Sequence, residues 1–248
     1  MRRFVLMVAA ALAAQAPVMA DDWKDLFNGK DLSGWKGRED LWSVKDGAIT
    51  GYTKDGKIPG GNSFLIWDGV TKDFELKVKF KLVGGNSGIQ YRSKYVGKPE
   101  GFVVGGYQAD MDGAKNMGFF GILYEERGRG VLTNRGTKTW VDEKGGRFEA
   151  PAGDAAELLK AINVNDWNDY HIIASGNHLT HVINGKTFAE TIDFQKDKRA
   201  AEGLLALQIH AGMGEMTVQF KDLKLKTLTD AKELTPETDP ISKDAKKK

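Results

Sequence analysis

From Phe74 to Leu82 the chain alternates without a break. Phe74, Leu76, Val78, Phe80 and Leu82 are apolar, and Glu75, Lys77, Lys79 and Lys81 are charged. A side-chain period of two belongs to an extended strand with one face in a core and the other in water; a helix cannot segregate that pattern. Gly84-Gly85-Asn86-Ser87-Gly88 ends the strand, and residues 89–92 read as the next one. The glycines predict a tight turn that holds Asn86 and Ser87 at a sheet edge.

The same pattern recurs along the chain. Residues 41–52 predict a hairpin across Asp46-Gly47, and 64–67 a short apolar strand. Further strands are read at 102–110, 118–124, 167–175, 178–183, 186–192, 204–210 and 216–228. Asn184-Gly185 joins one pair, and an irregularity is expected at Lys221-Asp222. Residues 154–162 are the one convincing helix, with Asp154 as N-cap. About a dozen strands with Gly and Asn turns predict an all-β fold, a β-sandwich or jelly roll, as one domain over residues 21–228.

The two ends differ from this body. Met1-Arg2-Arg3, an apolar run and the small residues up to Ala20 read as a secretory signal peptide of residues 1–20. The run is short of the roughly 20 residues that span a bilayer, so a soluble mature protein, periplasmic or secreted, is expected. Residues 229–248 are charged and poor in large apolar side chains, and read as a disordered tail. Removing residues 1–20 takes away Arg2 and Arg3 and no acid, which leaves 34 basic against 34 acidic residues. A neutral chain gives no reason to expect nucleic acid as a partner. The absence of cysteine excludes thiol chemistry, disulfides and cysteine-ligated metals.

No GxSxG, HExxH or phosphate-cradling loop is present. Chemistry must therefore come from side chains gathered across strands. Gln108 and Asp110 share a strand face by parity, as do Tyr124 and Glu126, Gln208 and His210, and Gln90 and Arg92. Each polar pair sits beside an apolar face, and Gln, His, Arg and Tyr recur where solvated strands carry Lys, Glu and Thr. His171 and His178 read as surface groups, His181 as a core or edge histidine, and His210 as open to ligand.

Several segments together resemble the 3-keto-disaccharide hydrolase family: LFNGKDLSGW (26–35), LWSVKDGAITG (41–51), DFELKVKFKLVGGNSGIQYRS (73–93), GYQAD (106–110), GILYEERGRG (121–130), WNDYHIIASGNHLTHVINGK (167–186) and LLALQIH (204–210). The likeness runs from about Leu26 to Leu228. It implies a concanavalin A-like jelly roll, exported in bacteria, acting on glycosides whose ring carbon 3 has been oxidised to a ketone. Other members carry Glu in place of Gln108 and Gln in place of Asp110.

A ketone at carbon 3 acidifies the hydrogen on carbon 2, so a base permits elimination at carbon 1 and water then adds back. The resemblance assigns Glu126 or His181 as base, with Arg92 and His210 around the enolate or the leaving group. Asn86, Gln108, Tyr124, Gln208 and Arg129 would hold sugar hydroxyls. Asp110 is either a hydroxyl acceptor or a second proton-transfer group. No cofactor is required, because the oxidation belongs to a separate sugar 3-oxidoreductase. A divalent cation such as calcium is left open, with Asp110 or Asp112 as ligands. A lectin-like binding module and an ordinary two-carboxylate glycosidase are the alternatives.

Overall fold

The alternation at Phe74–Leu82 becomes the middle of the larger of two sheets. The computed structural model describes residues 22–113 and 117–248; the segment read as a signal peptide lies outside the described residues. In chain order the strands are β1 (Lys24–Asp25), β2 (Trp35–Lys36), β3 (Trp42–Lys45), β4 (Ala48–Thr53), β5 (Ser63–Thr71), β6 (Phe74–Val83), β7 (Asn86–Tyr95), β8 (Val104–Asp112) and β9 (Leu123–Glu126). They continue as β10 (Gly130–Thr133), β11 (Thr137–Val141), β12 (Arg147–Pro151), β13 (Asn168–Ser175), β14 (His178–Ile183), β15 (Lys186–Asp193), β16 (Gly203–Ile209), β17 (Met216–Thr227) and β18 (Lys246–Lys247). The α-helix α1 (Ala155–Leu159) follows Asp154, whose carboxylate accepts from the backbone N–H groups of Ala156 and Glu157.

An eleven-stranded sheet runs β18-β12-β11-β15-β14-β13-β6-β17-β4-β3, with β1 also on β17. A seven-stranded sheet runs β10-β9-β8-β7-β16-β5-β2. Among the described residues, pairing is antiparallel except between β11 and β15. The two sheets pack face to face over one core, and the chain is a jelly-roll sandwich. Phe74, Leu76, Val78, Phe80 and Leu82 of β6 meet Ile89, Tyr91, Tyr107, Leu207 and Ile209 of the smaller sheet. Each such side chain contributes about 1.5–3 kcal/mol by leaving water.

The turns follow their residues. Asp46-Gly47 and Asn184-Gly185 take positive φ at both positions (50° and 69°, 48° and 76°), the geometry of a two-residue hairpin. The irregularity in β17 falls between Lys221 and Lys224, with Asp222 at φ 53°. Gly84-Gly85 departs from expectation: the turn does not close a hairpin. It carries the chain from β6 in one sheet to β7 in the other, and Asn86 and Ser87 are buried inside the second sheet rather than at an edge. A Cβ on Gly84 would lie 2.6 Å from the Glu215 carbonyl oxygen, and one on Gly85 2.6 Å from Met216 Cβ, so both positions require glycine.

The tail also departs from the disorder expected of it. Leu234, Ile241 and Ala245 pack on an outward apolar patch of Trp140, Ile192 and Phe194. The Asn177 amide bonds both backbone groups of Leu234, Asp239 accepts from the Trp140 indole at 3.2 Å, and β18 pairs with the edge of β12. Its apolar residues are few, but they meet a ready-made patch, and this is enough to order the segment.

Candidate active site on the outward face of the smaller sheet

Strand parity sorts the smaller sheet into two faces. Tyr107, Ala109 and Met111 of β8 enter the core, which leaves Gly106, Gln108 and Asp110 on the outward face. Register then brings the polar pairs together: Gln90 lies opposite Gln108, Gly88 opposite Asp110, Gln108 opposite Tyr124 and Gly106 opposite Glu126. On the other side of β7, Leu207 pairs with Ile89, so one further step sets Gln208 beside Gly88. Three of the four pairs read from the sequence converge on one surface.

A chain of hydrogen bonds runs across that surface. Ser93 Oγ donates to Gln90 Oε1 (2.7 Å), Gln90 Nε2 to Gln108 Oε1 (2.6 Å), and Gln108 Nε2 to Asp110 Oδ2 (2.8 Å). Asn86 Nδ2 donates to the other oxygen, Asp110 Oδ1, at 2.8 Å. Burial pushes the Asp110 carboxyl up to about 7. The Gln108 and Asn86 amides oppose that shift, while the negative charges of Asp112 and Glu126 add to it. A carboxyl held there takes and gives protons near neutral pH.

Around this floor stand the other polar groups of the face. Gln208 is fully buried, yet among the described residues neither its Nε2 nor its Oε1 has a partner; its backbone carbonyl accepts from Ser87 Oγ at 2.7 Å. His210 Nδ1 donates to the Ala211 carbonyl at 2.6 Å, which makes Nε2 the acceptor of the neutral ring. Its backbone N–H reaches the Asn86 carbonyl at 3.3 Å, tying β16 to the floor. Tyr124 and Glu126 are half-buried, and Arg127 lies 3.5 Å from Glu126. Asn62 Oδ1 accepts from the Ala211 N–H at 2.9 Å and anchors the loop before β5 against this end of the site.

Three residues expected here lie elsewhere. His181 is 1 % exposed, on the inward face of β14. Its Nε2 is 2.9 Å from the Tyr91 hydroxyl, and Nδ1 is 3.5 Å from that of Tyr170. It is therefore a satisfied core histidine, out of reach of substrate. Arg92 sits at a bulge with φ 47° and turns away from the face of Gln90. Its guanidinium donates to the Lys72 and Gly176 carbonyls and to Asp73, holding loops rather than an enolate. Arg129 is taken up by Glu125 and Asp193, and its Nη2 also reaches the Tyr107 hydroxyl at 3.4 Å. Conversely, Ser93 and Asn62 join the site without having been singled out for it, and Gln90, read as one of the polar pairs but given no role, joins it through Gln108. Strand parity and pairing with Gln108 were a usable signal for Gln90; Ser93 lies beyond the bulge, where parity no longer informs. Among the described residues, no group of three or more His, Asp or Glu side chains gathers as a metal site.

Two predictions arise here. Burial holds His181 down to about 3, below its ordinary value of 6.5. Its unfolded form therefore binds a proton that the folded form refuses, and its contribution to stability falls as pH drops from about 6.5 toward 3. Thermal melts of the parent and His181→Gln should draw together over that window; a constant gap would contradict the assignment. A Cβ on Gly88 would lie 2.5 Å from Gln108 Cγ. Gly88→Ala should therefore displace Gln108 from both of its bonds and lower stability by about 1–3 kcal/mol, read from denaturant midpoints. An unchanged midpoint would show that the amide chain adapts freely.

The two packed sheets define a concanavalin-like jelly roll. The family described as the 3-keto-alpha-glucoside-1,2-lyase-like domain matches residues 22–226, and the chain belongs to that family. It is 36% identical over 103 residues to a 3-keto-disaccharide hydrolase of Bacteroides thetaiotaomicron. That match covers 37% of this chain and 34% of the relative, about a third of its length. Among solved structures, a protein of Parabacteroides distasonis provisionally named a glycosyl hydrolase superposes with a TM-score of 0.53 at 18% identity, over 83% of this chain and 99% of that one. The carbohydrate-binding module CBM66 of Bacillus subtilis does so with a TM-score of 0.51 at 15% identity, over 78% and 96%. At these identities the two structures establish the fold.

Proposed function

We propose that the chain cleaves glycosides whose ring carbon 3 carries a ketone, on the outward face of the smaller sheet, after export from the cell. The observation that carries this reading is a buried carboxyl poised near neutrality, Asp110, beside a buried amide without a partner among the described residues, Gln208. An unpaired buried amide costs about 1–3 kcal/mol, a cost that a sugar hydroxyl or an enolate oxygen removes on binding. In this scheme Glu126 takes the proton from carbon 2, and the electron pair moves toward the carbon 3 oxygen, which accepts a hydrogen bond from Gln208 Nε2. The bond from carbon 1 to the leaving oxygen then breaks, and Asp110 gives that oxygen its proton. Water adds across the resulting double bond, returning a hydrogen to carbon 2 and placing a hydroxyl on carbon 1. Asn86 and Gln108 keep Asp110 oriented, while Tyr124 and His210 Nε2 hold ring hydroxyls. The ketone itself must be installed upstream by a sugar 3-oxidoreductase.

The test is a mass-spectrometric time course of residues 21–248 in heavy water with a 3-keto-disaccharide and its unoxidised parent. Cleavage of the keto sugar alone, with deuterium at carbon 2 of the product, is the expected result. Cleavage of both sugars would replace this scheme with ordinary glycoside hydrolysis. Binding without cleavage of either would make the face a lectin site.

A further inference from the structure

A groove of about 650 Å³ adjoins the proposed site and shares Glu126 with it. It is formed by β7, β8, the turn after β9 and residues 197–200, and it lies within the size range of small-molecule sites. Two glycines in its lining leave no room for a side chain: a Cβ on Gly105 would lie 2.8 Å from the Glu126 carbonyl oxygen, and one on Gly106 2.5 Å from Ser93 Oγ.

The lining holds six cationic side chains against three carboxylates. Half of the cations are committed to the fold. Arg92 bonds Asp73 and loop carbonyls, Arg129 is taken by Glu125 and Asp193, and Arg199 pairs with Glu233 at 2.5 Å. Arg127 stands at the boundary, 3.5 Å from Glu126. Lys94 on β7 and Lys198 in the loop after β15 remain. Both are exposed, and neither ammonium has an ion pair or hydrogen bond among the described residues. Against them stands one uncommitted carboxylate, Asp197, also exposed.

We infer that this groove receives the leaving half of the glycoside and selects one that bears an anionic group, a carboxylate or a sulfate, through Lys94, Lys198 and Arg127. A neutral sugar there would leave two ammonium groups in water with nothing gained. An anion gains charge-assisted hydrogen bonds in a concave site, where fields are focused. The word "leaving" rests on the cleavage proposed above; the preference for an anion does not.

The test is calorimetric titration with three unoxidised disaccharides of one linkage: the neutral form, the form with a uronate as second ring, and the form sulfated on that ring. In about 50 mM salt the charged forms should bind about tenfold tighter than the neutral one. The advantage should shrink in about 500 mM salt, where the screening length falls to a few ångströms. The two charged arms distinguish a carboxylate preference from a sulfate preference. The double variant Lys94→Gln/Lys198→Gln, checked for folding by circular dichroism, should lower the charged-to-neutral ratio several-fold, leaving only what Arg127 supplies. Equal or weaker binding of both charged forms, no measurable binding of either, or a ratio that the variant does not change would overturn the assignment. The 3-keto forms of the same sugars keep the two readings separate. Preference without cleavage would remove only the reaction, and cleavage of the neutral form without preference would remove only the groove.

Discussion

Asp110→Asn is expected to lower turnover of a 3-keto-disaccharide by about 10²–10⁴-fold, the span ordinarily carried by a single proton-transfer group. The substitution keeps the shape of the side chain but removes the titrating proton. It also sets an amide N–H against the Asn86 or Gln108 donor, so one of those amides must turn over. With a carboxyl pushed up to about 7 acting as the acid, parent activity should decline as pH rises through that value, and the variant should lack that limb. Stability moves in the same direction for the same reason. The folded form holds this proton more tightly than the unfolded chain does, so the contribution is full below the ordinary value of 3.8 and is lost as pH rises through about 7. Asp110→Asn should therefore gain on the parent in thermal melts at pH 8 relative to pH 5. Turnover within tenfold of the parent, or an unchanged limb, would remove Asp110 from the chemistry.

The second large effect concerns the tail. Truncation after Leu228 uncovers Trp140, Ile192 and Phe194, unpairs the edge of β12 and leaves the Asn177 amide without Leu234. Losing the burial of Leu234 and Ile241 alone costs about 3 kcal/mol at the usual value per side chain. In a protein of this size that corresponds to a fall of about 6–12 °C in melting temperature. The bared edge and apolar patch should also make the shortened chain aggregate, which light scattering would report. A truncated protein that melts with the parent and stays monomeric would show the strap to be dispensable.

These expectations also mark what could be read from residues alone. Alternation placed Phe74 to Leu82 inward without reference to any partner strand, and the same parity joined Gln108 to Asp110 and Gln208 to His210. It also held unused information: His181 shares a face with Leu179 and Ile183, both buried, and that already puts it in the core. Arg92 was beyond such reasoning, because the bulge after Tyr91 breaks the parity on which it depends. Gly84-Gly85 looks the same locally whether the chain returns within a sheet or crosses to another, and only the packing of the two sheets decides. Composition alone does not reveal the tail's order, which comes from the patch it covers and not from its own few apolar residues.

The place of β16 has a consequence for how the protein comes into being. It lies between β7 and β5, so residues 203–209 separate strands that precede them by more than a hundred positions. A nascent chain emerging from the ribosome at about 5–20 residues per second holds the smaller sheet as two unjoined parts until those residues arrive. Gln208 and His210 come with them. A chain interrupted between Asp112 and Gly203 has Asp110 and its amide partners but neither Gln208 nor His210, and so only one wall of the proposed site.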